Sequence, residues 1–428
     1  MLFKDITYID ENFNAVDHVY IGTKNGVIDY ISTVKPDWGY GEVYDGRGKV
    51  LIPGFVNNHT HVAMTYLRGY GENLPLQEWL FGKIFPFESK WDDNSIYWAG
   101  LLGMAEMMAG GTTSCSDMYM RDPIAAKVAQ EAGLKCNFSN GVVAGGASRF
   151  KETNEYPMTM EMLNKYGHSR GRFVVDASFH AEYTNAEGVI RDIAAIAAEN
   201  GYGLHIHASE TKKEHEECKQ RYGMTPVQLF EKCGVFEART NLAHCVWVED
   251  KDIEILAKHN VTVTHCPSSN MKLGSGFAPV RKLLDAGVNV ALGTDGASSN
   301  NVLNMFEEMR LAAMIARGQS GDANAVSPKE IFKMATVNGA LSQGRTDTGV
   351  IKKGNKADLA VVDFNCPHLT PCYDVLTNLV FAAQASDVVL TMVDGDVLYR
   401  DGQYKTIDIN KVYEKTSYYL PKILEQVD

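Results

Sequence analysis

The chain has 428 residues, of which 45% are hydrophobic and 22% are charged, and its formal net charge is −12. This length exceeds what one small core needs and fits a large α/β domain with a smaller companion. The negative charge argues against the basic surface that nucleic acids and anionic membranes require, so we expect neither as a partner.

The N-terminal segment lacks the basic and then apolar pattern of a secretion signal. Uncharged apolar runs also stay shorter than the roughly 20 residues that span a bilayer. The sequence therefore predicts a cytoplasmic protein. Short apolar runs at residues 18–22, 27–31 and 49–51 predict strands near this end of the chain.

Two histidines close the next apolar run, which ends in Asn57-Asn58-His59-Thr60-His61. Residues i and i+2 of a strand face the same side, so both imidazoles converge at the end of a buried strand. Burying two histidines costs desolvation free energy unless something binds their nitrogens. The pair therefore suggests half of a metal site.

From this point short apolar runs alternate with helical patterns. The eight runs lie at residues 51–56, 112–117, 136–143, 173–179, 203–207, 241–246, 261–265 and 288–294. Such alternation predicts parallel βα units, and eight of them predict an α/β fold, a (β/α)8 TIM-like barrel over residues 53–349. In these barrels the chemistry lies where strands end. Five of the predicted ends carry polar residues, namely His59 with His61, His180, His207 with Glu210, His244, and Asp295.

After the eighth run, Ser327, Pro328 and Glu330 predict a helix start, because they supply an N-cap, a first-turn proline and a capping box. The pattern then changes to short runs at 350–351, 359–362, 388–393 and 397–399, which Gly and Asp-Gly turns separate. The N-terminal segment shows the same pattern of short apolar runs separated by turn residues. We therefore predict one small β-sandwich domain made from residues 1–52 and 350–428.

Four motifs carry a resemblance that covers nearly the whole chain. They are Pro53-Gly54-Phe55-Val56-Asn57-Asn58-His59-Thr60-His61, His207-x-x-Glu210, His244 and Thr294-Asp295-Gly296. Together they resemble the amidohydrolase superfamily, and the chain is most similar to the branch that deaminates S-adenosylhomocysteine and methylthioadenosine. Triazine hydrolases are neighbours of that branch. The resemblance implies a barrel with a β-sandwich and a hydrolase that acts on C–N bonds of cyclic amidines.

The resemblance also implies roles for single residues. His59, His61, His207 and Asp295 would hold one divalent metal ion, zinc in the first place and iron as the alternative. Glu210, His244 and Asp295 would be catalytic, with Glu210 moving protons and His244 contacting the attacking water. Three imidazoles and one carboxylate leave an open position for water, as catalytic metal sites do. Binuclear members carry a lysine at the end of strand four, and its absence here favours one metal and deamination.

For the substrate, the resemblance places Glu88 at ribose hydroxyls, His180 at the heterocycle, and Glu210 and Ser299 at ring nitrogens. We expect hydrolytic deamination of an adenosine-type nucleoside, such as methylthioadenosine, S-adenosylhomocysteine or adenosine, to the inosine-type product plus ammonia. The alternative is a free base such as guanine, an oxidised adenine or another aminated heterocycle. A catalytically inactive binding protein is a remote alternative. A homodimer is the family-level expectation.

Several residues keep two interpretations. His265 competes with His244 for the water-facing role, and His205 is expected to be a hydrogen-bonded histidine of the barrel interior. Trp79 and Trp91 either stack on a purine or fill the cap of the barrel. The sequence leaves open whether Arg149 or Glu182 contacts the substrate. Five further histidines are expected at the surface, namely His18, His168, His215, His259 and His368.

Overall fold

The computed structural model describes residues 1–427. Its strands form three groups along the chain. The N-terminal group is Leu2–Ile9 (β1), Ala15–Lys24 (β2), Val27–Ser32 (β3), Val43–Asp45 (β4) and Lys49–Pro53 (β5). The middle group is Phe55–Thr60 (β6), Thr112–Met118 (β7), Lys135–Ser139 (β8), Phe173–Val175 (β9), Leu204–Ala208 (β10), Thr240–His244 (β11), Thr262–His265 (β12) and Asn289–Leu292 (β13). The C-terminal group is Leu359–Asp363 (β14), Val388–Val393 (β15), Asp396–Arg400 (β16) and Gln403–Tyr404 (β17).

Helices connect the strands of the middle group and end the described chain. In order they are Leu76–Trp79 (α1), Phe85–Glu88 (α2), Asp93–Ala109 (α3), Asp122–Ala132 (α4), Tyr156–Tyr166 (α5), Glu187–Asn200 (α6), Lys212–Tyr222 (α7), Pro226–Lys232 (α8), Asp250–Lys258 (α9), Pro267–Lys272 (α10), Val280–Asp285 (α11), Met305–Ser320 (α12), Pro328–Met334 (α13), Val337–Ser342 (α14), Val375–Phe381 (α15) and Ile409–Val427 (α16). The predicted capping box at Ser327 is confirmed at the start of α13. Among residues 1–427, every helix is too short or too polar to cross a membrane.

The middle group closes into a parallel barrel. Strands β6 to β9 pair in chain order, and so do strands β10 to β13. A parallel bridge between Ala177 and Leu204 joins the two halves on one side. On the other side the amide of Asp295 donates to the carbonyl of His59 at 2.9 Å. The predicted α/β barrel is therefore confirmed, and the ends of its strands meet at one rim.

The prediction of a single strand at residues 51–56 is wrong, because this run contains two strands. Strand β5 belongs to the terminal sheet, whereas β6 is the first barrel strand. Gly54 separates them, and a Cβ at this position would lie 2.1 Å from a side-chain atom of Thr113. An unbroken apolar run cannot reveal this boundary, since both strands are fully or almost fully buried.

Both ends of the chain build one sheet, in the order β17-β16-β15-β14-β5-β1-β2-β3, with β4 beside β1. The antiparallel pair of β5 and β14, with Pro53 opposite Leu359, joins the two ends. This sheet has a hydrophobic cluster of its own, which includes Phe3, Ile21 and Met392. Strand β1 was not predicted from the sequence. Its register against β2 is irregular between Phe3 and Tyr8, and this irregularity hides the period-two pattern of a strand.

A buried ion pair ties the barrel to this sheet. Lys135, at the start of β8, places Nζ 2.5 Å from Oδ2 of Asp358 and 2.9 Å from Oδ1 of Asp394. Thr348 Oγ1 donates to the same Asp358 oxygen at 2.6 Å. The Lys135 and Asp358 side chains are 5% and 2% exposed. Because a buried charge is stable only with its partner, each of these groups depends on the others.

Replacing Lys135 by Met is expected to lower the free energy of unfolding by about 3–5 kcal/mol, because Asp358 then keeps a buried carboxylate without its cation. Equilibrium unfolding in urea measures this change. Lys353→Met, which removes an exposed lysine nearby, serves as the control and is expected to change stability by less than about 0.5 kcal/mol. Equal unfolding midpoints for the two variants would contradict the structural role of the pair.

Candidate metal centre and active site

Three histidines meet at the C-terminal rim of the barrel. His59 lies in β6, His61 directly follows this strand, and His207 lies near the end of β10. The ring centroid of His59 is 4.9 Å from that of His61 and 4.9 Å from that of His207. One ring nitrogen of each lies within 4.8 Å of the others. The structure thus brings together three of the four predicted metal ligands.

The outer nitrogen of each imidazole already has a hydrogen-bond partner. Nδ1 of His61 donates to the carbonyl of Met118, and Nδ1 of His207 donates to the carbonyl of His180 at 2.8 Å. Nδ1 of His59 lies 2.8 Å from Nε2 of His205. Such contacts fix the tautomer and orientation of metal-binding histidines, because they leave Nε2 free to face the ion.

Asp295 completes the cluster from the loop after β13. Its Oδ1 lies 3.4 Å from Nε2 of His59 and 3.2 Å from Nε2 of His61. Its Oδ2 accepts hydrogen bonds from Ser269 at 2.6 Å and Ser299 at 2.9 Å. Burial alone would raise the pKa of Asp295, but the adjacent imidazoles of His59 and His61 hold it well below its ordinary value. The group is therefore a carboxylate with one oxygen held by serines and the other directed at the histidines.

This donor set fits a divalent metal ion. Nε2 of His59 is buried and has no hydrogen-bond partner among the described residues. An unsatisfied buried nitrogen costs free energy, and a metal ion removes that cost. Neutral imidazoles and one carboxylate are ligands that zinc prefers.

Glu210 and His244 face the same space. Nε2 of His244 lies 3.8 Å from Oε2 of Glu210, and its Nδ1 lies 3.0 Å from Oδ1 of Asn270. Ser275 Oγ donates to Oε1 of Glu210 at 3.3 Å. Burial raises the pKa of Glu210, which favours a carboxyl group that keeps a proton to donate.

The backbone that carries Glu210 is itself fixed. The carboxylate of Glu214 accepts from the amides of Ser209 and Glu210, each at 2.7 Å. Ser209 adopts a positive φ of 50°, a conformation that non-glycine residues rarely hold without such support. The direction of the Glu210 side chain is thus set by a buried capping carboxylate.

A cavity of about 230 Å³ lies over this cluster. Glu88 and His180 both line it, as predicted from the sequence, and so does Trp79. The hydroxyl of Tyr119 donates to Oε1 of Glu88 at 2.6 Å. Burial raises the pKa of Glu88 to about 7 and lowers the pKa of His180 to about 3, so His180 is a neutral imidazole. The cavity therefore joins the metal-ligand cluster to an acceptor carboxyl and a neutral imidazole.

One protein family matches most of the chain. The model described as "Amidohydrolase family" matches residues 50–398. This chain belongs to the amidohydrolase family. The match begins at β5 and ends in β16, so it covers the whole barrel.

Individual relatives of this amidohydrolase are deaminases by name. It is 42% identical to a 5-methylthioadenosine/S-adenosylhomocysteine deaminase of Pelotomaculum thermopropionicum, over 87% of this chain and 86% of the relative. It is 41% identical to a 5'-deoxyadenosine deaminase of Methanothermobacter thermautotrophicus, over 91% of each chain. Among solved structures, an adenosine deaminase from Xanthomonas campestris with bound zinc superposes with a TM-score of 0.94, at 28% identity, over 99% of this chain and 98% of the other.

Some residues of this amidohydrolase lie where the sequence analysis did not expect them. Ser299 was expected to meet a ring nitrogen, but it does not line the cavity in the described structure. Its hydroxyl donates to the carboxylate of Asp295 instead. Glu182 points away from the site and pairs with Arg221 at 2.6 Å. Arg149 pairs with Asp192, also at 2.6 Å. Neither Glu182 nor Arg149 lines the cavity.

The structure also decides two open interpretations, those of His244 and Trp91, and corrects the expected exposure of His215. His244, and not His265, faces the cavity. Trp91 is buried outside the cavity lining, so it packs the cap of the barrel. His215 was expected at the surface, but it is 4% exposed and contacts Ser209 and Glu249, because helix α7 turns this face towards the rim loop.

The residues that hydrogen-bond to Glu88, Asp295 and His244 were not predicted from the sequence. Tyr119 follows β7 directly, and the rule that chemistry lies at strand ends would have found it. Ser269 and Asn270, which hold Asp295 and His244, lie in the short helix α10. The segment Ser268-Ser269-Asn270 also resembles the amidohydrolase pattern, but that resemblance assigns these residues no role.

Proposed function

We propose that this amidohydrolase is a metal-dependent deaminase of aminated purines that converts an adenosine-type nucleoside to the inosine-type product plus ammonia. Methylthioadenosine, S-adenosylhomocysteine and adenosine are the expected candidates, and the name of one relative adds 5'-deoxyadenosine. One observation carries the proposal. Glu210 and His244 lie 3.8 Å apart in the cavity that also contains the histidine and aspartate cluster. The names of the relatives at about 40% identity support the same reaction.

We assign His59, His61, His207 and Asp295 as the ligands of one divalent ion. Zinc is supported by the zinc-bound adenosine deaminase of the same fold, and iron is the alternative. When bound, such an ion lowers the pKa of a water molecule from 15.7 towards about 7, which supplies a nucleophile at neutral pH. The ligand set with three nitrogens and one oxygen leaves a position open for that water.

The remaining steps belong to side chains of this protein. Glu210 donates its proton to a ring nitrogen next to the amine-bearing carbon, which makes that carbon more electrophilic. Asp295 accepts the proton of the attacking water through its Oδ1. His244, whose Nδ1 is fixed by Asn270, directs Nε2 at the water. The amine then takes the proton held by Asp295, the C–N bond breaks and ammonia leaves. The proton of the newly added hydroxyl group returns to Glu210 as the product carbonyl forms, so protons and charges balance.

We also propose that residues 1–52 and 350–428 form a β-sandwich domain and that residues 53–349 form the catalytic barrel. The mixed sheet from both chain ends and its own hydrophobic cluster support this division. Strand β5 ends at Pro53, immediately before the barrel begins.

A screen for ammonia release tests the reaction. The purified enzyme with one zinc per chain is offered adenosine, methylthioadenosine, 5'-deoxyadenosine, guanine and an oxidised adenine. We expect turnover of nucleosides above that of free bases. If only a free base is turned over, the substrate is the free base and not a nucleoside. If no aminated heterocycle releases ammonia, the proposed deamination is wrong.

Replacing Glu88 by Gln is expected to lower kcat/KM for nucleosides about 10- to 100-fold, because hydrogen bonds from ribose hydroxyls to a charged carboxylate are worth about 1.5–3 kcal/mol. A free base lacks these hydroxyls and is expected to lose far less. Glu78→Gln, an exposed change in the neighbouring helix α1, is the control. Equal losses for nucleosides and bases would refute this role of Glu88.

The same residue predicts a pH effect of known sign. Burial raises the pKa of Glu88 to about 7, so the accepting carboxylate forms only as the pH rises through that value. The KM for nucleosides is therefore expected to fall between about pH 6 and pH 8 in the wild type. The Glu88→Gln variant, which has no group to titrate there, should show a flat KM.

A further inference from the structure

One end of the cavity has a methionine-rich wall beside Glu88. Tyr119, which donates to Glu88, lies between Met118 and Met120, and both methionines line the cavity together with Met158. A carboxyl that accepts from ribose hydroxyls places the 5' end of a nucleoside within a few ångströms of it. The wall is therefore the surface that a 5' substituent meets.

Two residues that follow β8, Asn140 and Gly141, pack beside this wall. A Cβ at Gly141, which follows β8 with φ of 57°, would lie 3.0 Å from Cγ and Sδ of Met118. Asn140 donates through Nδ2 to Thr159 Oγ1 at 2.5 Å, which fixes the end of β8 against helix α5. Met158 lies in the first turn of that helix. The wall is thus packed from two strand ends and one helix.

Two charged residues line this part of the cavity, Glu155 and Arg121, and of the two only Arg121 has an ion-pair partner among the described residues. Glu155 lines the cavity at the start of α5, and no cation lies within ion-pair distance of it among residues 1–427. Arg121 lines the cavity too, but its guanidinium donates to Asp93 at 2.8 Å and to the carbonyl of Trp91 at 3.5 Å. A substrate carboxylate would face an unpaired like charge and methionine side chains, and would have to compete with Asp93 for Arg121.

We infer that this wall selects nucleosides whose 5' substituent carries no carboxylate, with short uncharged groups such as 5'-methylthio and 5'-deoxy preferred, and that Glu155 is the residue that disfavours the carboxylate. The inference rests on the proposed function and names its substrate class more closely. Of the substrates that appear in the names of the relatives, S-adenosylhomocysteine is the one that the wall disfavours, because its 5' substituent ends in a carboxylate as well as an ammonium group.

Three nucleosides with matched chemistry test this. They are methylthioadenosine, S-adenosylhomocysteine, and the analogue of the latter in which hydrogen replaces the carboxylate. We expect kcat/KM for the analogue to exceed that for S-adenosylhomocysteine at least about 30-fold, which corresponds to about 2 kcal/mol. In Glu155→Gln this ratio is expected to fall at least about fivefold. Glu161→Gln, an exposed change in the same helix α5, should leave the ratio as in the wild type.

The possible outcomes separate the inference from the proposed function. Equal or better turnover of S-adenosylhomocysteine in the wild type overturns the inference and leaves the deaminase intact. Loss of that turnover in Arg121→Gln would then assign Arg121 as the carboxylate's partner. A ratio that is high in the wild type and unchanged in Glu155→Gln overturns the role of Glu155. Ammonia release from none of the three overturns the proposed function, and the inference with it.

Discussion

Replacing Asp295 by Ala is expected to lower kcat/KM for ammonia release by more than about 10⁴-fold, since the enzyme would lose both a proposed metal ligand and the proposed proton acceptor. Asp295 directs Oδ1 at Nε2 of His59 and His61, and Ser269 and Ser299 hold its other oxygen. Without this carboxylate the two histidines keep no acid partner at the centre. Metal content per chain, from inductively coupled plasma mass spectrometry, is expected to fall together with the rate.

Asp322→Ala is the matched control, because it removes an exposed carboxylate from a loop after helix α12. It should retain both metal and rate. Thermal unfolding of both variants shows whether the barrel remains folded. An Asp295→Ala enzyme that releases ammonia at the wild-type rate after chelation of all metal would refute the assignment of this centre.

The Glu210→Gln variant is expected to lose about 10²–10⁴-fold in kcat while it keeps its metal, because the amide cannot donate an acidic proton to the ring. This pattern distinguishes Glu210 from the four ligands, whose loss affects metal content. Burial raises the pKa of Glu210, which favours the protonated form of the wild-type group. Single-turnover measurement of ammonia release, with metal analysis of the same sample, gives both numbers.

Glu216→Gln, an exposed change in helix α7, controls for a general effect of removing a negative charge near the site. A Glu210→Gln enzyme with full metal content and less than a threefold loss in kcat would remove Glu210 from the proton pathway. Loss of metal in that variant would make it a structural support instead.

The barrel could be predicted because its evidence is repeated along the chain. Each strand end carries its own signal, so an error at one strand, such as the run at 51–56, leaves the others unaffected. The candidate ligands His59, His61, His207 and Asp295 follow from the same rule together with the family pattern. In the structure they lie in one cluster at the rim.

Finer details could not be predicted, because they depend on partners distant in sequence. The spacing of Ser299 from Asp295 does not say whether the hydroxyl faces a cavity or the carboxylate. The sequence left open whether Glu182 contacts the substrate. In the structure its carboxylate forms an ion pair with Arg221 of helix α7, a partner that lies 39 residues away along the chain. The buried pair of Lys135 with Asp358 joins residues that no local pattern connects.

The pairing of β5 with β14 has a consequence for synthesis on the ribosome. Strand β5 leaves the ribosome early, yet Leu359, its partner at Pro53, is made about 300 residues later. At the usual rate of 5–20 residues per second, one edge of the N-terminal strands waits roughly 15–60 s for its neighbour. An apolar strand edge is open to other chains during that time, so the nascent protein is most exposed to aggregation before its C-terminal strands emerge.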